Sequence, residues 1–414
     1  MNRRQILSSV GALLAQTAMS RSMAQSEKVE CGNGDVLYGR DTLPGGIRSR
    51  QIATRTGVNL HILEAGHLGT ARPCVVLLHG FPELAYSWRN QLLPLAHAGF
   101  HVVAPDLRGY GRSATRAVAY SDDLLPYSML NRVSDVLGVV RALGYAEVAS
   151  VIGHDWGAPT AQWCARLRPD VFRSVVSMST PFLPAPALPR GADSGSRSEP
   201  DIDNELAALK RPRQHYFSVN ATDRANEDMW RAPQGVHDLL RALYYFKSAD
   251  WEGNQPFPLA SWTASELARM PEYYIMDSHM GIAATMAAHM PSKAYIDECK
   301  WMTEGDLRVY STEFSRTGFQ GGLNYYRRGN DPRFSTELKA FSGRTIAVPA
   351  CFIGGDRDWA TYQSPGAFED MGSVCTRLLG VHLIDRAGHS LAEERPAQVN
   401  EVLLEFFRRT MPGR

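Results

Sequence analysis

Short apolar runs separated by amphipathic stretches set the pattern of the first half of the chain. Cys74–Leu78 and His101–Pro105 carry almost no polar alternation, as expected for strands buried on both faces. Residues 148–152 and 174–178 read the same way. Between them, 86–97, 127–143 and 158–167 have helical periodicity. Upstream, 49–54 and 59–64 predict a strand pair turned at Gly57. Strands alternating with helices predict an α/β fold: a mostly parallel sheet flanked by helices on both faces.

The rhythm breaks at Pro181. Residues 181–200 are rich in Pro, Gly and Ser and read as a linker; 201–341 show helix-like segments and no strong strand pattern. Alternation resumes with strands at 346–353 and 382–385 and a helix at 397–409. This predicts an α/β core over 48–180 and 342–414. A helical cap, 181–341, is inserted between its sixth and seventh strands. Residues 25–47, polar and Gly-containing, read as an N-terminal loop. No internal repeat is apparent.

With 414 residues, 44% of them hydrophobic, the chain can bury a large core. A net charge of +1 gives no argument for nucleic acid or an acidic partner. The six cysteines (31, 74, 164, 299, 351 and 375) are scattered, without a CxxC or a Cys/His cluster that would suggest a metal or redox site. Cys74, Cys164 and Cys351 lie in apolar or helical runs and read as core fillers; no pairing follows for Cys31. At the N-terminus, Asn2-Arg3-Arg4-Gln5-Ile6-Leu7 resembles a twin-arginine export signal. A mildly apolar stretch and Ser22-Met23-Ala24 follow it. Residues 1–24 are therefore expected to be a leader directing the protein to the periplasm. That stretch is too short to span a bilayer, and no other run suffices, so no membrane partner is expected.

The chemistry starts at Gly153-His154-Asp155-Trp156-Gly157. A strand, a sharp turn flanked by glycines and a helix make a nucleophile elbow. Ser or Cys is usual at its tip, whereas Asp155 stands here. A carboxylate attacking alkyl carbon leaves an ester; on a carboxylic ester it would give an anhydride. Asp155 therefore favours hydrolysis by alkyl transfer, over a simple helix-capping role.

Four blocks occur in order: His79-Gly80-Phe81-Pro82-Glu83, Asp106-Leu107-Arg108-Gly109-Tyr110-Gly111-Arg112-Ser113, Gly153-His154-Asp155-Trp156-Gly157-Ala158 and Ala387-Gly388-His389. Together they resemble the epoxide hydrolases of the α/β-hydrolase fold over about residues 48–410. This Asp-nucleophile branch also contains haloalkane and haloacetate dehalogenases. The resemblance implies Asp155 as nucleophile and His389 as general base for water, since a carboxylate needs no activation near neutral pH. Of the two carboxylates in Gly355-Asp356-Arg357-Asp358, the family pattern selects Asp358 to orient His389, leaving Asp356 as a turn residue. It further implies an oxyanion hole from the backbone N–H groups of Phe81 and Trp156, with Pro82 rigidifying the loop.

The cap should supply phenols, because an epoxide oxygen leaves poorly unless protonated. Gly322-Leu323-Asn324-Tyr325-Tyr326-Arg327 selects Tyr326. His215-Tyr216-Phe217 selects Tyr216, although Ser218-Val219-Asn220 departs from the family pattern. Tyr244 and Tyr245 are the fallback candidates. The expected substrates are a small-molecule epoxide and water, the product a vicinal diol, and no metal or organic cofactor is required. A dehalogenase would use the same trio without phenols, and Phe81 supplies no side-chain amide to bind halide. A non-catalytic ligand-binding homologue would be expected to lack part of the trio. Residues 248–270 carry no assigned role, and Trp251, Trp262, Tyr273 and Tyr274 fit either a cavity wall or helix packing.

Overall fold

The computed structural model describes residues 42–411 apart from 56, 69–71, 115, 189–200 and 330. The expected leader, 1–24, and residues 25–41 of the expected loop lie outside the described residues; 42–47 form turns. Asp41–Arg414 cluster as one compact unit.

The core is built around an eight-stranded sheet. Its strands are β1 (Arg48–Ala53), β2 (Asn59–Ala65), β3 (Cys74–Leu78), β4 (His101–Pro105), β5 (Ser150–His154), β6 (Val175–Met178), β9 (Ala350–Gly355) and β10 (Leu378–Ile384). Their order across the sheet is β1-β2-β4-β3-β5-β6-β9-β10. β1 and β2 run antiparallel, as do β2 and β4; the other neighbours are parallel. Every residue of β3, β4, β5 and β6 is buried, as continuous apolar runs require. The helices of the core include α1 (Arg89–His97), α2 (Met129–Ala142), α3 (Gly157–Leu167), α8 (Leu391–Glu394) and α9 (Pro396–Thr410). Ser128 caps α2, its hydroxyl accepting from Asn131 N at 3.2 Å.

Several edges move from where periodicity predicts them. The helix expected over 86–97 opens as a 3-10 turn, Ala85–Trp88, before α1 begins at Arg89. The strand expected over 346–353 begins at Ala350. Ile346 makes only an isolated bridge to Cys375, and Pro349 before the strand lacks the N–H that would extend the ladder. β5 starts at Ser150 and runs through Gly153 to His154, so the elbow's first residues belong to the strand.

Between β6 and β9, the sixth and seventh strands of the main sheet, the regular structure among the described residues is mostly helical. Of the cap helices, α4 (Tyr216–Asn220) and α7 (Gln320–Gly329) carry Tyr216 and Tyr326, α5 (Gly235–Lys247) ends at Lys247, and α6 (Glu304–Thr317) packs against α5. One expectation is corrected here: the cap does contain strand. β7 (Arg213–His215) pairs antiparallel with β8 (Ile275–Asp277). Three residues per strand are too few for a two-residue period to emerge from sequence, and the pairing joins positions about 60 residues apart.

Parallel registers bring the carboxyl ends of β3, β5, β6 and β9 to one edge, pairing Leu78 with Gly153, His154 with Met178 and Met178 with Ile353. The loops leaving that edge carry the chemistry. α3 crosses so close behind it that glycine is required. A Cβ on Gly157 would sit 2.1 Å from Leu78 O, and one on Gly153 2.2 Å from Gly157 O. Neither neighbour is a flexible side chain that could yield. Gly157→Ala is therefore expected to cost about 1–3 kcal/mol by overpacking; a thermal midpoint equal to wild type would contradict this packing.

Candidate active site

Asp155 sits at the tip of the elbow with φ 46°, a left-handed conformation that Asp tolerates better than most residues. Its N–H donates to Met178 O at 3.3 Å, and its C=O accepts from Ala158 N at 3.0 Å. The turn lifts its carboxylate off the sheet edge toward the loop after β3. There Phe81 N–H donates to Asp155 Oδ1 at 2.8 Å. Gly80 makes this approach possible: a Cβ there would lie 2.3 Å from Asp155 Cβ. Trp156 N–H makes no hydrogen bond to another described residue, and α3 begins immediately after it.

His389 follows β10 and brings Nε2 to 3.4 Å from Asp155 Oδ2. Its Nδ1 lies 3.1 Å from Asp358 Oδ1, which also accepts Ala360 N–H at 2.9 Å. Asp358 is 1% exposed. Asp356 instead accepts from Ala387 N at 3.3 Å and stays half-exposed. The structure thus brings Asp358, and not Asp356, to the imidazole. Because Asp358 can only accept, Nδ1 carries a proton; Nε2 faces the Asp155 carboxylate, donating to it while the ring is an imidazolium and becoming an acceptor once the ring is neutral.

Burial tends to raise the Asp155 carboxyl and lower the His389 imidazole. In both cases the partners win. The hydrogen bond and charge of His389, helped by Lys247 and His154, hold Asp155 well below the usual carboxylate range. Burial and Lys247 lower His389, but Asp358 and Asp155 outweigh them and leave it raised. Asp358 is likewise lowered: burial opposes its ionisation, while His389, Ser179 and the Ala360 N–H favour it.

Two residues of the quoted motifs, without an assigned role in the sequence, form a second buried pair behind the elbow. Glu83 Oε2 accepts Gly80 N–H at 2.9 Å and His154 Nδ1–H at 3.0 Å. His154 Nε2 lies 2.8 Å from the carbonyl oxygen of His389 and 3.0 Å from Ser179 Oγ. Burial would lower His154, yet the charge of Glu83 and the hydrogen bond to it raise it from 6.5 to about 9. His79 plays a different part. Its Nε2 accepts Leu107 N–H at 2.9 Å and Nδ1 donates to Gly80 O at 2.8 Å. Burial lowers its pKa, so it ties two loops together as a neutral ring.

The cap closes the site with aromatics. Tyr216 and Tyr326 are both buried, with ring centroids 5.9 Å apart. Tyr326 stands edge-on to Trp156 at 5.0 Å and to Phe81 at 5.4 Å. Burial and the nearby Asp155 push its phenol well above 10, opposed by hydrogen bonds with the Trp156 and Asn220 side chains. Tyr216 Oη donates to Gln363 Oε1 at 2.9 Å, a bond from cap to core. The fallback tyrosines are placed elsewhere: Tyr244 donates to Pro82 O at 2.7 Å, and Tyr245 packs on Tyr295 at 4.6 Å. A cavity of about 680 Å³ lies at the boundary, lined by Asp155, Trp156, Tyr216, Phe217, Trp262 and Gln363 among others. That size suits a small organic ligand. Trp262 is thus a wall residue, whereas Trp251, Tyr273 and Tyr274 pack on Phe246, on one another and on Tyr216.

Lys247, Gln363 and Glu394 also reach this site. Lys247 and Gln363 belong to none of the motifs, and Glu394 lies beyond the last of them. Among the described residues no His, Cys, Asp and Glu group has metal-binding geometry, and no helix is long and apolar enough to cross a membrane. The Glu83–His154 pair gives a pH prediction. A folded pKa above the unfolded value means that stability is fully present below pH 6.5 and lost as pH rises through about 9. The thermal midpoint should fall across that window, and Glu83→Gln should flatten the slope. An unchanged slope would refute the pairing.

Residues 73–251 match the family model described as alpha/beta hydrolase fold. The chain is 36% identical over 357 residues to epoxide hydrolase B of Mycobacterium tuberculosis, covering 85% of this chain and 96% of that protein. It is 32% identical over 367 residues to an epoxide hydrolase of Caballeronia sordidicola, covering 88% and 95%. Among solved structures, an epoxide hydrolase from an endophytic Streptomyces superposes with a TM-score of 0.70 at 32% identity, covering 88% of this chain and 96% of that one. Epoxide hydrolase A from Mycobacterium thermoresistibile gives 0.67 at 30% identity, covering 87% and 98%. The chain belongs to the epoxide hydrolases of the α/β-hydrolase fold.

Proposed function

We propose that this protein hydrolyses a small-molecule epoxide to a vicinal diol through an alkyl ester on Asp155. The observation that carries this reading is the carboxylate at the elbow tip. Phe81 N–H holds it at 2.8 Å, His389 Nε2 stands 3.4 Å away, and two buried cap phenols share its site. Asp155 is held ionised by its neighbours and needs no base to take a proton from it, so proton abstraction by the imidazole is left for another task.

In the first step Asp155 Oδ2 forms a bond to an epoxide carbon and the ring C–O bond breaks. The departing oxygen takes the phenolic proton of Tyr326, and the Trp156 and Asn220 side chains that hydrogen-bond Tyr326 stabilise the phenolate. Tyr216 donates a second hydrogen bond to the same oxygen once its phenol turns from Gln363. In the second step His389 Nε2, oriented by Asp358, removes a proton from water, and the hydroxide adds to the ester carbonyl carbon. The N–H groups of Phe81 and Trp156 stabilise the resulting oxyanion. The acyl C–O bond then breaks, the diol oxygen takes the proton from His389, and the proton left on the Asp155 carboxyl restores Tyr326. The paired phenols favour an epoxide over a halide, which leaves without protonation.

The α/β part, 48–180 and 342–414, would supply nucleophile, base and oxyanion hole, and the cap, 181–341, the proton donors. We further propose that residues 1–24 direct export by the twin-arginine route; Arg3→Lys with Arg4→Lys should retain the protein in the cytoplasm of an expressing bacterium.

A single turnover of an aryl epoxide in ¹⁸O-water should place the label in Asp155 and not in the diol. His389→Gln should accumulate an alkyl adduct on Asp155, visible by mass spectrometry. Tyr326→Phe should slow alkylation by about 100-fold, within the usual range for a lost general acid. Label appearing in the diol during the first turnover would overturn the ester mechanism, and halide release from a haloalkane without diol formation from epoxides would overturn the substrate class.

A further inference from the structure

The backbone around His389 is gripped by one buried carboxylate. Glu394 ends the short helix α8 and is 5% exposed. Its Oε2 accepts Gly388 N–H at 2.9 Å and its Oε1 accepts Ser390 N–H at 3.1 Å, the amides of the residues on either side of His389. Oε2 also accepts Ala249 N–H from the cap at 2.9 Å. The cap holds His389 itself as well: His389 N–H donates to Lys247 O at 3.0 Å. Gly388 lies against that cap segment so tightly that a Cβ would meet Ala249 N and Ser248 C at 2.5 Å.

The cap segment is anchored in turn. Asn254 donates to Ser248 O at 2.7 Å and to Phe246 O at 2.9 Å, and Tyr273 Oη donates to Asn254 Oδ1 at 2.6 Å. Glu393, the neighbouring carboxylate, is committed elsewhere, to Arg89 and Tyr310. Three N–H groups, two beside His389 and one in the cap, therefore converge on Glu394 alone.

Fixing a side chain's backbone fixes the cone in which its ring can lie. We propose that Glu394 is a positioning residue for the second half-reaction: it locks the His389 peptide frame to the cap so that Nε2 faces the ester carbonyl of alkylated Asp155. This rests on the reading of Asp155 as nucleophile and His389 as base. It also makes a kinetic distinction. Attack by Asp155 needs only an ionised carboxylate and the phenols, whereas attack by water needs Nε2 in place. Loss of Glu394 should then slow hydrolysis and spare alkylation. A residue that merely held the fold would slow both.

The test is Glu394→Gln on the full chain, with an aryl epoxide, rapid quench and mass spectrometry of the Asp155 peptide. Gln keeps the size but puts an NH₂ against backbone donors, so at least one N–H loses its acceptor. The expected result is an unchanged alkylation rate, hydrolysis slowed about 10–100-fold, and accumulation of the adduct, in line with the cost of a small misplacement of a catalytic group. Glu394→Asp keeps the carboxyl group with a shorter reach and should fall between Gln and wild type; it decides the question if Glu394→Gln does not fold. Equal slowing of both steps, or normal turnover of the adduct, overturns the inference. An adduct that never forms on Asp155 in any variant, including His389→Gln, overturns the underlying reading instead.

Discussion

An ionised carboxylate held in a mostly buried pocket is the constraint on which this structure turns. Asp155 is paired with His389, touched by the Phe81 N–H and raised out of the sheet by a left-handed backbone. Such a conformation costs on the order of 1–2 kcal/mol for a residue with a Cβ, and burying a charge costs more unless it is paired. Both are sustained because the surroundings are over-determined. Glycines at 80, 153 and 157 let three backbones converge within contact distance. A serine in this place would need a base to become a nucleophile; the aspartate needs only neighbours that keep it charged.

Those neighbours form an alternating array. Asp358, His389, Asp155 and the His154–Glu83 pair place carboxylates and imidazoles in turn, with the Lys247 ammonium nearby. Lys247 is lowered by burial, although Asp155, Asp358 and Glu83 each favour its charge. The array links the two halves of the chemistry. In the proposed mechanism, forming the ester removes the charge of Asp155, and with it one of the groups that favour the imidazolium on His389, so the base would be released when water must be activated.

The second organising feature is that cap and core share the site and do not merely adjoin it. Tyr216 reaches across to Gln363, Tyr244 to the carbonyl of Pro82, and the 247–249 segment to the His389 loop. The cavity between them takes its walls from both parts. Side chains of the two parts can therefore be set by separate stretches of sequence and still meet within a few ångströms.

Much of this was legible in the chain itself. Continuous apolar runs read as buried parallel strands because a strand covered on both faces has no polar side. The elbow at Asp155 was legible because strand, glycine-flanked turn and helix coincide within a short stretch, and the order of the motif blocks pointed to His389, which the fold brings to 3.4 Å from Asp155. Tertiary structure decided what depends on distance between remote positions. It separated Asp358 from Asp356, two residues apart and chemically alike, because only one side chain reaches the imidazole. It separated Tyr216 from Tyr244, which turns to a core carbonyl. It revealed the β7–β8 ribbon, too short to have a period, and it brought Lys247, Gln363 and Glu394 to the site. Sequence carries local periodicity and local chemistry; which remote groups share one buried volume is settled only when the chain packs.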